Sequence, residues 1–447
     1  MKKLPKGGNG RRSFLKGAAG LFGAAFWADE TLDAAVQNTN RNSAPSQLKI
    51  TDMRVAVLAR APFRCPVIRI DTNQGISGYG EVRDGASETY ALMLKSRILG
   101  QNPCNIERIF RSLRQFGGHG RKAGGVVAIE EALWDLAGKA YNVPVYQMLG
   151  GKYRDRLRCY CDTPDSPDPK VFGERMKKRM EMGFTWLKMD IGLHHFRNVP
   201  GVVSGMSTER WREHTLTGVE ITDKGAEMMA DYVMKVREVV GWEIPISTDH
   251  FGSMGVNSII KLGKAFQKCN LAWMEDTVPW YHTELLKKIS DALEVPICTG
   301  EDIYLLEPFE TLCREHAVDV IHPDLSTSGG ILETKRIGDM AQKYGVPMAM
   351  HMAGSPICCM ANAHCAAATE GFLVMENHSV DIPWWDSLID GVEKPILNKG
   401  YIKVPEGPGL GFTINEEAFK EHLIPGGAFF GPTPEWDKER SQDNLYT

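Results

Sequence analysis

The chain has 447 residues, 43% hydrophobic and 24% charged, with a formal net charge of −4. That composition is ordinary for a soluble globular protein with room for a large core. The slightly acidic balance offers no footprint for nucleic acid or for an anionic membrane. The length points to two or three domains, or to one barrel with an extra domain.

Residues 1–45 stand apart from the fold. Arg11 and Arg12 precede Ser13, Phe14, Leu15 and Lys16, and a short apolar stretch runs from Ala18 to Trp27. It is too short to cross a bilayer, which takes about 20 residues. The pattern resembles a twin-arginine export signal followed by an Asn-rich linker, so the mature protein is expected to be periplasmic or exported, with no membrane span. There are ten cysteines and no CxxC pair. Folding before export favours free buried thiols over a disulfide framework.

Residues 46–156 read as an α+β module. "LKITDMRVAVLA" and "CPVIRIDTNQGISGYGEV" predict a strand and a hairpin that turns at Asn73-Gln74-Gly75. "ASETYALMLKSRIL", "IERIFRSLRQF" and "VVAIEEALWDLAGKAY" predict helices. The glycine-rich "FGGHGRKAGG" lacks the Lys-Ser/Thr ending of a phosphate-binding loop.

From residue 157 to 394 the rhythm becomes strand then helix. The strand-like runs are "RLRCYCD", "WLKMD", "EIPISTD", "LAWMED", "VPICTGED", "DVIHPD", "VPMAMHM" and "FLVMEN". Eight such runs with amphipathic stretches between them predict a closed βα barrel. No Gly-x-Gly-x-x-Gly opens a helix, which argues against a dinucleotide fold. One connection, residues 191–225, is long for a βα loop and is expected to act as a lid. Residues 395–447 are rich in Pro and Gly and are expected to pack back on the first module.

In such a barrel the C-terminal strand ends share one mouth. Read in order, they carry Lys188 and Asp190, Asp249, Glu275, Glu301, Asp324, His351 and Glu376. Asp249, Glu275 and Glu301 follow one another at intervals of 26 residues, about one strand–helix unit. Adjacent buried carboxylates repel one another without a cation, and hard oxygen donors suit Mg²⁺. Asp324 and His351 end neighbouring strands, where the carboxylate can fix the imidazole tautomer and raise its basicity for general acid–base work.

Taken together, "LKMD", "STD", "WMED", "TGED", "HPDLSTSGGI", "MHMAGSP" and "LVMEN" resemble the enolase superfamily in its mandelate racemase–muconate lactonising branch. "GYGE" and "AIEEALWDLAGKAYNVPVYQMLGGKYRDR" are similar to that family's capping domain. The resemblance spans roughly residues 48–415. It implies an α/β fold: a (β/α)₇β TIM-like barrel with an α+β N-terminal cap completed by the C-terminal segment. It implies one Mg²⁺ held by Asp249, Glu275 and Glu301, and a base dyad of Asp324 and His351. Lys188 matches the first Lys of the family's Lys-x-Lys, and Glu376 matches the last-strand acid that bonds the substrate carboxylate. Asp190 departs from the pattern, standing where the second Lys would be. His250 is a further local difference, placed to touch a substrate hydroxyl or simply to pack.

The expected reaction is removal of the proton α to a carboxylate, followed by loss of a β-hydroxyl to give a 2-keto-3-deoxy acid, which is acid-sugar dehydration. A racemase, epimerase or cycloisomerase would need Asp190, His194 or His195 on the opposite face. The alternative outside catalysis is an exported sugar-acid binding protein. Specificity is expected in the Arg60–Arg64 and Gly117–Gly125 loops and the long connection. The family resemblance also implies a homo-oligomer.

Overall fold

The structure, a computed structural model, describes residues 44–196, 199–205, 219–252 and 254–439. The twin-arginine stretch and residues 206–218 of the long connection lie outside the described residues.

β1 (Ile50–Leu58), β2 (Cys65–Thr72) and β3 (Ser77–Glu81) form an antiparallel sheet. Gly75 supplies the positive φ of +75° that the β2–β3 turn requires. Helix Gly124–Tyr141 lies directly on β3. "GYGE" explains the closeness: a Cβ on Gly80 would fall 2.0 Å from the Ala128 carbonyl oxygen, so only glycine lets strand and helix meet. The stretch "ASETYALMLKSRIL" differs from expectation. It forms two short helices, Thr89–Leu92 and Lys95–Ile98. The break at Met93–Leu94 lets buried Lys95 turn inward to Asp52 and Asp437, each 2.6 Å away.

Eight parallel strands follow in one ring: β4 (Arg156–Cys161), β5 (Leu187–Asp190), β8 (Ile246–Asp249), β9 (Trp273–Glu275), β10 (Ile297–Thr299), β11 (Val320–Ile321), β12 (Met348–Met350) and β13 (Phe372–Asn377). Their ladders run β5-β8-β9-β10-β11-β12-β13-β4, and β4 comes alongside β5. Each of the first seven is followed by a helix, which makes the barrel (β/α)₇β. Between β5 and β8 a small antiparallel pair, β6 (Val203–Gly205) with β7 (Val219–Ile221), occupies the long connection. The barrel interior is plugged by Tyr160, Trp186, Trp273, Cys298, Val320, Ala349 and Val374. With its centre filled, the barrel's chemistry is confined to the rim.

The cap is fastened to the barrel by buried glutamates at helix N-termini. Glu130 accepts from the backbone N–H groups of Ile331 and Leu332, at 2.8 and 3.1 Å. Glu81 accepts from that of Ser355 at 3.0 Å. Each satisfies donors that a helix start leaves open. The C-terminal segment touches both parts. Tyr401–Lys403 pairs antiparallel with β4, while Leu423 and Gly431 bridge to Leu58 and Val55 of β1. All ten cysteines are free, and nine are buried. Among the described residues no helix is long and apolar enough to cross a membrane.

Candidate active site

A cavity of about 400 Å³ opens at the C-terminal rim. Its walls include Lys188, Asp190, Asp249, His250, Asp276, Glu301, His351 and His378 from the barrel, with Phe63, Arg83, Asp84 and Arg121 from the cap. Phe63 and Arg121 belong to the two cap loops expected to shape specificity.

Alternation along β5 turns Lys188 and Asp190 to the same side. Lys188 is buried, its Nζ 3.1 Å from Asp249 Oδ2 and 2.8 Å from Glu376 Oε1. Burial opposes its charge, but Glu376, Glu275 and Asp249 outweigh it and hold the ammonium well above its ordinary pKa. Asp190 receives His250 Nε2 at 3.3 Å. That contact lifts the His250 imidazole to about 10. His250 adopts a positive φ of 79°, uncommon outside glycine, which is the turn that carries it over the rim.

The acids gather as follows. Carboxylate oxygens of Asp249, Glu275 and Asp276 lie within 4.8 Å of one another. Glu275 is at the floor of this group, accepting from His322 Nδ1 at 2.7 Å and Trp273 Nε1 at 3.1 Å. Burial and then Asp249, Glu301 and Glu275 push Asp276 well above the usual carboxylate range. Glu301 stands beside the group but turns elsewhere, one oxygen 3.3 Å from His351 Nε2 and the other 3.7 Å from Arg83 Nη2. The difference from the expected trio has an electrostatic reason: Glu301 orients to two groups able to carry positive charge, His351 and Arg83. Hard oxygen donors crowded at three successive strand ends fit a divalent cation.

His351 Nδ1 is 2.6 Å from Asp324 Oδ2. Arg83 Nη1 is 3.2 Å from the other oxygen, Oδ1. Burial raises and Arg83 and His351 lower the Asp324 carboxyl, and the net shift is downward. For the imidazole, burial works against the charged form, yet Glu301 and Asp324 lift it to about 10.

Glu376 differs from expectation. It is fully buried and forms no part of the cavity wall. Lys188 and His378, whose Nε2 is 3.1 Å from Glu376 Oε1, stand between it and the cavity. Burial opposes its charge, but Lys188 and His378 hold it far below the usual range. His194 and His195 also differ: neither lines the cavity. The turn Leu193–His195 aims both at Asp165 in the connection after β4, at 3.2 and 3.1 Å. The described part of the long connection contributes no cavity wall.

Sequence reasoning missed Arg83, Asp276 and His378. His378 was accessible to it, since it stands two residues past Glu376 on the same side of the strand end. Arg83 carries no signal in "GEVRDG" beyond its charge.

The chain is similar to known proteins over most of its length. Residues 171–418 match the model described as "Enolase C-terminal domain-like", and residues 32–150 match "Mandelate racemase / muconate lactonizing enzyme, N-terminal domain". A D-xylonate dehydratase of Haloferax volcanii is 34% identical over 90% of this chain and 94% of its own. An arabinonate dehydratase of Saccharolobus solfataricus is 26% identical over 82% and 92%. A mandelate racemase/muconate lactonizing enzyme-like protein from Rubrobacter xylanophilus superposes with a TM-score of 0.76, at 30% identity, covering 86% of this chain and 99% of that one. The chain belongs to the enolase superfamily, in its mandelate racemase/muconate lactonizing branch.

Proposed function

We propose that the chain is an acid-sugar dehydratase, a hydro-lyase acting on a five- or six-carbon aldonic acid. The observation that carries this is the Asp324–His351 dyad, closed at 2.6 Å and facing the carboxylate group across one cavity. The dehydratase relatives named above support the reaction class. A cavity of about 400 Å³ lies toward the small end of ligand pockets, as a compact polar substrate needs.

Asp249, Glu275 and Glu301 are the proposed ligands of Mg²⁺, with Asp276 beside them. When bound, the ion supplies electrostatic stabilisation of the charge that develops on the substrate carboxylate. The remaining steps belong to the chain. Lys188, held charged between Asp249 and Glu376, faces the same developing charge. Asp324 keeps a proton of His351 on Nδ1; Glu301, whose charge beside Nε2 favours the imidazolium here, would be turned to the bound ion, which would free Nε2 to act as the base that takes the α-proton. The C–H electron pair moves first into the carboxylate as an enediolate, then returns to form the Cα–Cβ double bond as the β C–O bond breaks and the hydroxyl leaves with that bond's electrons. The departing hydroxyl takes a proton from His351 or His250 and leaves as water. The enol product then tautomerises to the 2-keto-3-deoxy acid.

A racemase would need a second base opposite His351. Asp190 is occupied with His250, and His194 and His195 face Asp165, which favours elimination. The test is a panel of mono- and diacid sugars with Mg²⁺, scored for 2-keto product. Binding without product and without exchange of the α-hydrogen would identify a binding protein instead. The Arg11–Arg12 stretch further supports export, read by fractionation of cells that express the full chain.

A further inference from the structure

Outside the cavity, three side chains converge from two connections. Asp165 follows β4, and His194 and His195 form the turn that opens the long connection after β5. One oxygen of Asp165, Oδ2, is 3.2 Å from His194 Nε2 and 3.1 Å from His195 Nε2. The two imidazole rings lie 4.0 Å apart at 41°. All three potential ligand atoms fall within 4.8 Å of one another.

The arrangement is held from behind. The Tyr232 ring packs 5.7 Å from that of His195, and the Tyr232 hydroxyl donates to the carbonyl of Ser166, next to Asp165. The His195 side chain is only 4% exposed. Nε2 points at Asp165 from 3.1 Å, and among the described residues neither ring nitrogen makes a well-aligned hydrogen bond. An enclosed polar ring whose close partner is a shared carboxylate oxygen is held better if something else meets its nitrogen. The spacing says what could. With metal–nitrogen and metal–oxygen bonds of about 2.0–2.2 Å, the edge of a tetrahedral site is about 3.4 Å. The two observed edges are close to that value.

We propose that Asp165, His194 and His195 form a second metal site, for a borderline divalent ion such as Zn²⁺, which clips the connection after β4 to the start of the long connection after β5. Its donor set separates it from the carboxylate group at the rim. Two imidazoles and one carboxylate suit zinc, nickel or cobalt, whereas an all-oxygen group suits Mg²⁺. Water completes the coordination, and the ion's role is to fix the geometry of the two connections.

The test uses the full protein, stripped by a chelator, returned to excess Mg²⁺, given Zn²⁺, desalted, and counted for metal. Wild type is expected to retain one zinc per chain, and Glu275→Gln, altered at the rim, is expected to retain it too. Asp165→Asn and His195→Ala are expected to retain none. His195 is buried, so its loss could disturb folding. His194→Gln, at a more exposed position, is therefore measured alongside, with circular dichroism of each variant. Bound Co²⁺ is expected to show the visible absorption of a tetrahedral nitrogen–oxygen site in wild type and not in His194→Gln. The proposal is overturned if wild type keeps no zinc under excess Mg²⁺. It is equally overturned if Asp165→Asn and His194→Gln keep as much zinc as wild type while Glu275→Gln loses it.

Discussion

Arg83 of the cap reaches Asp324 of the barrel, Nη1 to Oδ1 at 3.2 Å, while the other oxygen of Asp324 holds His351 at 2.6 Å. The cap therefore supports the base directly as well as covering the mouth. The same guanidinium donates to the Glu301 carbonyl and to Thr327, so its planar fork is used in several directions at once.

Arg83→Met should lower kcat by about 10- to 100-fold, the usual cost of losing a residue that orients a functional group. Arg83→Lys should recover only part, because an ammonium cannot serve those acceptors together. Steady-state kinetics check this. An unchanged kcat in Arg83→Met would mean that the dyad is positioned without the cap.

The acids make a second prediction. Calorimetry should show Mg²⁺ binding abolished in Asp249→Asn and Glu275→Gln, and weakened by about 100-fold in Glu301→Gln. Asp276→Asn should cost less than about tenfold, because its Oδ1 is already engaged by the Thr299 hydroxyl. If Asp276→Asn proves the more damaging of the two, Asp276 and not Glu301 is the third ligand.

Lys188 sits buried between Asp249 and Glu376, so removing it strands carboxylates in the barrel rim. Lys188→Met should lose about 3–5 kcal/mol of stability, as for one partner taken from a buried ion pair. Excess Mg²⁺ should restore part of it by binding only the folded chain. Its kcat should fall by about 10²–10³, the cost of one donor aimed at developing charge. Urea denaturation with and without Mg²⁺ measures the first two effects.

His364 gives a pH dependence away from the chemistry. It is fully buried where the cap meets the barrel, and its Nδ1 accepts from the Tyr146 backbone N–H at 3.2 Å. Burial lowers it from 6.5 to about 4. Well above pH 6.5 neither folded nor unfolded chain is protonated there, so the residue has no pH-dependent effect on stability. As pH falls from 6.5 toward 4 the unfolded chain takes up the proton first, and the folded state loses stability, on the order of 3 kcal/mol in all. His364→Gln keeps an acceptor for Tyr146 and should flatten this acid limb. Urea midpoints measured near neutrality and about two pH units lower test it.

Much of the site is legible in the sequence because a barrel turns chain order into spatial order. Each strand end that carries Lys188, Asp249, Glu275, Glu301, Asp324 or His351 must face the one mouth. What the sequence leaves open depends on contacts between parts distant in the chain. Arg83 reaches Asp324 across 241 positions of the sequence, and nothing near it announces that. Glu376 belongs to the strand-end set, yet only the packed structure puts Lys188 and His378 between it and the cavity. The aim of His194 and His195 depends on one short turn, and strand–helix periodicity does not encode it.

The most direct measurement is hydrogen exchange and product formation in D₂O, followed by NMR with Mg²⁺-saturated wild type and His351→Asn on a sugar acid that wild type turns over. The account predicts that wild type forms the 2-keto-3-deoxy acid. It also predicts that His351→Asn loses both elimination and α-hydrogen exchange by about 10²–10⁴ while still binding Mg²⁺. Wild-type turnover in His351→Asn would contradict the assignment of the base and the mechanism built on it.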